Sequence, residues 1–233
     1  MKKVCGIIGG MGPLATADLF TKIIRNTKAD TDGAHMHVLI DSNTNVPDRT
    51  AAILHNGPSP LKELLNSAKT LEQAGAEFLI MPCNTAHYFY ADLQAGASVP
   101  LLNMIEETVH AVAARGFKTV GLLATDGTRE AGIYDLPFEH AGITLIKPEK
   151  EGQKALMDII YNGVKAGKTT FDTATIKKEL LKMRELGVEC FVLACTELPL
   201  AFAQYGLDFE TLDPTNVLAR AAVCFGGYPL ADQ

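Results

Sequence analysis

The stretch "GAEFLIMPCNT" (75–85) is matched at a constant spacing later in the chain by "GVECFVLACTE" (187–197). Each copy is an apolar run of strand length that ends at a cysteine followed by polar residues. Such a run indicates a buried strand, and the polar residues after it are typical of a turn into a helix. The two copies therefore predict one strand-turn unit, used twice, with Cys83 and Cys195 in equivalent positions.

The duplication extends to two earlier stretches, "VCGIIGGMGP" (4–13) and "TVGLLATDGT" (119–128), in which Gly6 matches Gly121. Two parts of the chain that keep the same order and spacing predict two related α/β lobes. If the lobes face each other across a pseudo-twofold axis, equivalent strand ends meet at a cleft. Cys83 and Cys195 would then lie on opposite walls of that cleft.

Apolar runs of strand length alternate with helical patterns along the whole chain. We predict strands at 4–9, 36–41, 77–82, 99–103, 118–125, 143–146 and 189–194. We predict helices at 13–27, 61–74, 106–115, 129–140, 155–164, 173–186 and 215–224, and a long polar loop at 43–60. Continuous apolar strands separated by helices indicate parallel sheets covered on both faces. The predicted fold class is therefore α/β, and such folds bind ligands at the carboxyl ends of their strands.

Composition narrows the class of protein. The chain has 233 residues, 47% of them hydrophobic, which is enough for a sizeable core. The net charge is −6 with lysines and arginines scattered, so no nucleic-acid footprint is expected. No window reaches about 18 apolar residues, which argues against a transmembrane helix. The N-terminal apolar stretch is short and interrupted by glycines, so we expect no signal peptide and a cytoplasmic protein.

The cysteine pattern predicts reduced thiols, because the five cysteines include no Cys-x-x-Cys pair. Cys5, Cys190 and Cys224 lie in or beside apolar runs and are expected to be core residues. Cys83 and Cys195 differ, because each precedes an expected helix start. There the helix dipole and free backbone N–H groups favour a thiolate and lower the pKa of a cysteine from about 8.5.

Two thiols on opposite sides of a small cleft suggest a particular chemistry. One cysteine can take a proton from a carbon atom while the other delivers a proton to the opposite face, which inverts a stereocentre. The α-proton of an amino acid is a poor acid, so the carbanionic transition state needs help. Backbone amides and helix N-termini aimed at the α-carboxylate can supply part of it.

Four motifs together resemble the aspartate racemase branch of the aspartate/glutamate racemase superfamily, over essentially the whole chain. They are "GGMGP" (9–13), "PDRT" (47–50), "PCNTAH" (82–87) and "CTELPL" (195–200). The resemblance implies two pseudosymmetric lobes with the active site in the cleft between them. It implies an N-terminal lobe of residues 1–98 joined by a returning segment 208–233, and a C-terminal lobe of residues 99–207. It also implies racemisation without a cofactor or metal, often in a homodimer.

By the same resemblance Cys83 and Cys195 carry the proton transfers. The groups that would hold the α-carboxylate and the amino group are Asn84, Thr85 and Thr196, with help from Met11 and Gly12, and with Thr125 and Thr128 in the equivalent loop of the second lobe. Arg49 and Lys165 match basic positions that meet the side-chain carboxylate, with Lys168 as a rival to Lys165. A guanidinium can bind a carboxylate through two hydrogen bonds. Glu197 would orient the thiol or the substrate ammonium.

Several alternatives stay open within the superfamily. In the glutamate racemase branch, "DSG" is typical after the first strand and "CTHYP" is typical at the second cysteine. This chain has "GMGP" and "CTELP" at those places. Glutamate as the sole substrate is therefore disfavoured, but a broader glutamate/aspartate racemase, a hydantoin racemase or a maleate cis–trans isomerase is not. The paired cysteines argue against one-cysteine decarboxylase chemistry and against a ligand-binding protein with an inactive site.

Other classes fit poorly. Cys83 and His87 have a spacing that could bind zinc, but two ligands are too few. Gly10, Gly12 and Ala15 form a loose dinucleotide fingerprint, but Pro13 interrupts it, so a nicotinamide-dependent oxidoreductase is disfavoured. No Schiff-base lysine with a phosphate cup is evident for pyridoxal phosphate. The resemblance to the aspartate racemase branch therefore remains the basis of the prediction, and it implies an isomerase that interconverts L- and D-aspartate.

Overall fold

The computed structural model describes residues 1–232 and divides into two units. The first unit contains Met1–Thr108 together with the C-terminal segment from Thr215 onward, and the second contains Val109–Pro214. Both boundaries lie later in the chain than the sequence-based boundaries at 98 and 207. The segment around Leu101 belongs to the first unit because Leu101 forms a parallel bridge with Leu79.

Strands and helices alternate along the chain. The strands are β1 (Cys5–Gly9), β2 (Val38–Ser42), β3 (Phe78–Ile80), β4 (Thr119–Ala124), β5 (Thr144–Ile146), β6 (Cys190–Ala194) and β7 (Thr211–Leu212). The α-helices are α1 (Pro13–Asn26), α2 (Arg49–Leu54), α3 (Leu61–Gln73), α4 (Tyr90–Gly96), α5 (Met104–Ala114), α6 (Asp126–Glu130), α7 (Asp135–His140), α8 (Lys150–Asp158), α9 (Ala174–Glu185), α10 (Leu198–Gln204) and α11 (Pro214–Phe225). The remaining helical segments are 3₁₀-helices at Asp32–Ala34 and Thr85–Phe89 and a π-helix at Ile159–Val164.

The first unit contains a three-stranded parallel sheet in the order β2-β1-β3. Every residue of β1 and β3 is buried, as expected for strands covered on both faces. Helix α1 packs on this sheet through Leu19 and Ile23, and α11 adds Leu218 and Val223 to the same core. The C-terminal segment therefore completes the core of the first unit.

The second unit contains a four-stranded parallel sheet in the order β5-β4-β6-β7. Strands β4 and β6 pair along most of their length, from Val120 opposite Cys190 to Ala124 opposite Ala194. The core on this sheet includes the buried side chains of Leu123, Leu156, Phe191, Leu198 and others. The predicted fold class, α/β with two mostly parallel sheets flanked by helices, is confirmed.

Two predicted elements were wrong in the first unit. The stretch 43–60 is not all loop, because it contains helix α2, which starts at Arg49. The side chain of Asp48 caps this helix by accepting a hydrogen bond from Ala51 N at 2.7 Å. The predicted strand at 99–103 is reduced to the single bridge between Leu101 and Leu79.

Two predicted helices of the second unit are interrupted. The helix expected over 129–140 is two short helices, α6 and α7, separated where Gly132 takes a φ of 62°. The helix expected over 155–164 starts earlier, as α8, and continues as the π-helix Ile159–Val164. Cys224 was expected in the core and is exposed, whereas Cys5 and Cys190 are buried; the described cysteines are free thiols, as predicted.

No helix within residues 1–232 combines the length and the apolar character needed to cross a bilayer.

The matched glycines of β1 and β4 mark places of close packing. A Cβ on Gly6 would lie 2.8 Å from Leu79 Cδ2, and a Cβ on Gly121 would lie 2.6 Å from Phe191 Cδ1. We expect Gly121→Ala to lower the free energy of unfolding by about 1–3 kcal/mol through overpacking. Gly33→Ala is the control, because no atom lies within 4 Å of a Cβ there. Urea unfolding measures both, and equal midpoints would contradict the expected overpacking.

Candidate active site

Cys83 lies just beyond the end of β3, in the turn that leads to the 3₁₀-helix Thr85–Phe89. Its backbone N–H donates to Met81 O at 2.9 Å, which closes a tight turn. Its side chain is 7% exposed, and Asn84 and Thr85 beside it are also buried. The predicted turn from a strand into a helical segment is confirmed at this cysteine.

The loop after β1 reaches the same edge of the first sheet, because β1 and β3 are parallel neighbours. Gly10 takes a φ of 90°, and a Cβ there would lie 2.2 Å from Asn43 O, so only glycine fits. Thr16 Oγ1 accepts from Gly10 N at 2.9 Å and donates to Gly12 O at 3.1 Å. Met11 is buried in this loop, and the peptide that joins it to Gly12 is cis.

Arg49 is the first residue of α2, which contacts the 3₁₀-helix that follows Cys83. Its Nη1 donates to Val46 O at 3.3 Å and to Pro47 O at 3.0 Å. Its Nε is buried and has no hydrogen-bond partner among the described residues. A buried donor without a partner is costly, so this guanidinium has capacity left for an anion.

Cys195 directly follows β6 and is 6% exposed. Its Sγ donates to Glu197 Oε2 at 3.1 Å, and Thr196 Oγ1 donates to the same oxygen at 3.1 Å. Lys165 Nζ lies 3.8 Å from the other oxygen, Glu197 Oε1. The structure therefore gathers three of the predicted site residues of the second unit, Cys195, Thr196 and Lys165, around the carboxylate of a fourth, Glu197.

The electrostatics of Cys195 contradict the sequence-based expectation of a lowered pKa. Burial of the thiol raises its pKa well above the ordinary value, and the negative charge of Glu197 raises it further. The backbone N–H of Glu197 and the charge of Lys165 act in the opposite direction but are outweighed. Burial and the Glu197 charge therefore favour the thiol form of Cys195, whose Sγ is placed to donate to Glu197.

Lys165 is presented by the π-helix that ends immediately before it, and its backbone N–H donates to Ile160 O at 3.0 Å. Such π-helical segments are frequent at functional sites. Lys165 Nζ also lies 4.5 Å from the centroid of the Tyr161 ring. The rival, Lys168, instead places Nζ over the ring of Phe171. Of the two lysines, the structure brings Lys165 to the Cys195 site.

Thr125 and Thr128 stand at the start of α6, in the loop after β4. Thr125 is the N-cap, and its Oγ1 lies 3.4 Å from Thr128 N and 3.2 Å from Thr128 Oγ1. Sequence reasoning missed Gln153, which is buried and holds this loop. Gln153 Nε2 donates to Ala124 O at 2.9 Å and to Asp126 Oδ1 at 2.7 Å. Nothing in the local sequence distinguishes Gln153 from other polar helix residues.

His87 is buried and hydrogen-bonded, with Nδ1 2.8 Å from Cys83 O and Nε2 3.1 Å from Met104 N. Both ring nitrogens are therefore already used. Within residues 1–232, no group of three or more His, Cys, Asp or Glu side chains is placed to hold a metal ion.

Comparison with known proteins identifies the class. A model of the Asp/Glu/hydantoin racemase family matches residues 8–222, so the chain belongs to this family. This match confirms the resemblance to the aspartate/glutamate racemase superfamily that the four motifs indicated. The chain is an amino-acid racemase of that superfamily.

Particular relatives extend over almost the whole chain. The broad specificity amino-acid racemase RacX of Bacillus subtilis is 27% identical over 224 residues, which cover 94% of this chain and 96% of RacX. The solved structure of Picrophilus torridus aspartate racemase is 31% identical, with a TM-score of 0.84 over 98% of this chain and 96% of that one. An aspartate racemase homologue from Pyrococcus horikoshii is 27% identical, with a TM-score of 0.76 over 97% and 100% of the two chains.

The contact between Cys195 and Glu197 predicts a change in thiol reactivity. Glu197→Gln keeps an oxygen that can accept from Cys195 but removes the charge, so the pKa of Cys195 should fall. Because the thiolate is the reacting species, Cys195 should be alkylated by iodoacetamide faster in the variant, as followed by mass spectrometry of its peptide.

The matched control is Glu210→Gln. The charge of Glu210 raises the pKa of the Cys190 thiol, which burial has already raised, and does not act on Cys195. An unchanged or slower alkylation of Cys195 in Glu197→Gln would show that the carboxylate does not hold its proton.

Proposed function

We propose that this protein interconverts L- and D-aspartate without a cofactor, with Cys83 and Cys195 acting on opposite faces of the α-carbon. The observation that carries the proposal is the pair of buried cysteines, each placed within three residues of the C-terminal end of a buried parallel strand, one in each unit. Membership of the racemase family and the similarity to Picrophilus torridus aspartate racemase support it.

The proposed reaction moves two protons and leaves the enzyme ready for the reverse direction. A thiolate at one cysteine takes the α-proton, and the electron pair stays on the α-carbon as a carbanion. The thiol at the other cysteine then delivers its proton to the opposite face and becomes the thiolate. Cys195 is suited to be the first proton donor, because burial and the Glu197 charge favour its thiol form and its Sγ donates to Glu197 Oε2.

We assign binding of the substrate α-carboxylate and ammonium groups to residues beside the two cysteines. Asn84 and Thr85 follow Cys83, and Thr196 follows Cys195, all of them buried. Donors placed close to the carboxylate stabilise the charge that develops when the α-proton leaves. We assign Met11, Gly12, Thr125 and Thr128 to the same task, because their loops follow the strands that pair with β3 and β6.

Recognition of the side-chain carboxylate is assigned to Arg49 and Lys165. Arg49 has a buried Nε with no partner among the described residues. Lys165 has a carboxylate partner only at 3.8 Å, and its side chain is 41% exposed. A long, half-exposed ion pair contributes little, so an incoming carboxylate can replace it at small cost.

A second candidate is a racemase of wider amino-acid specificity. The similarity to RacX, a broad specificity amino-acid racemase, over nearly the full length of both chains favours it. A maleate cis–trans isomerase would use the same two thiols, with one of them as a nucleophile. In each case we expect the protein to act as a homodimer in the cytoplasm, which light scattering on the purified protein and localisation of a tagged chain would test.

The two-cysteine mechanism predicts the effect of removing either thiol. Purified protein in deuterium oxide should racemise L- and D-aspartate and introduce deuterium at the α-carbon, as followed by NMR. Cys83→Ser and Cys195→Ser should each reduce racemisation by at least about 100-fold, since an alcohol is a far weaker acid than a thiol. Cys224→Ser, which alters an exposed free cysteine, should leave the rate unchanged.

Two results would refute this mechanism. A single cysteine variant that still racemises aspartate at the wild-type rate would show that one base suffices. Wild-type protein with reduced thiols that neither racemises nor exchanges either enantiomer would refute aspartate racemisation altogether, and maleate and other amino acids would then be tested as substrates.

The assignment of the cations predicts a loss that depends on the substrate. Arg49→Ala and Lys165→Ala should each lower kcat/KM for aspartate by about 10- to 100-fold, the equivalent of one charged hydrogen bond. The loss for alanine should be much smaller, because alanine has no side-chain carboxylate. Lys168→Ala is the matched control and should behave as wild type. Equal losses for aspartate and alanine would show that these residues do not recognise the side chain.

A further inference from the structure

His87 is a buried side chain that the proposed reaction does not use. It is 5% exposed and lies in the 3₁₀-helix that follows Cys83. Its Nδ1 lies 2.8 Å from the carbonyl oxygen of Cys83, and its Nε2 lies 3.1 Å from the backbone nitrogen of Met104, the first residue of α5. One ring therefore joins the backbone of a candidate catalytic residue to the start of another helix.

The two partners determine the tautomer of His87. The backbone N–H of Met104 can only donate, so Nε2 must accept. The carbonyl of Cys83 can only accept, so Nδ1 carries the proton and donates it. Burial also lowers the pKa of His87 to about 4, which favours the same neutral form. His87 is thus a neutral ring with a fixed donor and a fixed acceptor.

We propose that His87 is a positioning residue, which sets the direction of the Cys83 thiol by holding the carbonyl group of Cys83 against the start of α5. This role rests on the proposed two-cysteine racemase function. It adds a residue that does not touch the substrate but affects the reaction through Cys83.

The backbone around Cys83 shows why the carbonyl controls the thiol. The N–H of Cys83 is held by Met81 O at 2.9 Å, and its carbonyl is held by His87, so both peptide groups that flank its Cα are anchored. The direction of the Cα–Cβ bond follows from these two peptide planes. Because Sγ is bonded to Cβ, a shift of the Cys83 carbonyl group would displace the thiol with it.

Cys195 is held by a different arrangement, although the two turns are duplicates. Its carbonyl accepts from the backbone N–H of Leu198 at 2.9 Å, and its thiol is held by Glu197. The residue equivalent to His87 is Pro199, which has no side-chain donor. The need for a histidine is therefore specific to the first cysteine, and a change at His87 should affect Cys83 and leave Cys195 as it is.

Two substitutions separate the bonds made by the ring. His87→Asn places an amide N–H where Nδ1 stands and can still donate to Cys83 O. His87→Gln reaches toward Met104 N but does not donate to Cys83 O. The matched control is Tyr90→Phe, because the Tyr90 ring stacks with His87 at 6.2 Å and its hydroxyl donates to Leu101 O, away from Cys83.

The first readout is steady-state kinetics with aspartate. We expect His87→Gln to lower kcat by about 10- to 100-fold with KM changed less than about twofold, the effect of a small displacement of a reacting group. We expect His87→Asn to retain kcat within about threefold of wild type and Tyr90→Phe to leave it unchanged, even where thermal unfolding shows a lower midpoint. Equal losses in His87→Asn and His87→Gln would overturn the proposal, because they would indicate a packing role.

The second readout does not require racemase activity. Alkylation of the folded protein by iodoacetamide, followed peptide by peptide, should be faster at Cys83 in His87→Gln than in wild type, His87→Asn or Tyr90→Phe. The rate at Cys195 in the same samples is the internal reference and should not change. Cys83 labelling that is identical in all four proteins would overturn the positioning role, whereas absent racemisation with a selective change at Cys83 would refute only the proposed function.

Discussion

Parallel pairing of two buried strands in each unit determines where the chemistry can take place. Parallel neighbours end at the same edge of a sheet, so the loop after β1 lies beside the turn after β3, and the loop after β4 lies beside the turn after β6. Gly6 and Gly121 have no Cβ, so Leu79 and Phe191 on the neighbouring strands can pack directly against them. A cysteine at such a strand end is held by a buried, hydrogen-bonded framework, which a surface loop would not provide.

The two cysteine turns occupy equivalent positions in the duplicated sequence but place their cysteines in different electrostatic surroundings. Cys195 has a carboxylate 3.1 Å away, and its pKa is raised by burial and by that charge. Cys83 is instead anchored through its carbonyl by the neutral ring of His87. A two-base reaction needs one protonated and one deprotonated group at the start of a turnover. Two thiols in identical surroundings would share the proton equally, whereas different surroundings favour keeping it on one of them.

The parts of the fold that follow a simple periodicity were predictable from sequence. The buried strands were recognised because their apolar runs are continuous, and the duplication identified both cysteine turns. Helix α2 was missed because its cap, Asp48, lies among residues typical of loops. The π-helix before Lys165 was missed because its hydrogen-bond pattern leaves no distinctive sequence period.

The candidate site was predictable as a set of residue types but not in its energetics. The position of Cys195 beside a helix start indicates a lowered pKa only if burial and neighbouring charge are ignored. Both depend on how completely the fold covers the thiol and where the Glu197 carboxylate points. The role of His87 likewise required the position of the Met104 N–H, which belongs to a helix later in the chain.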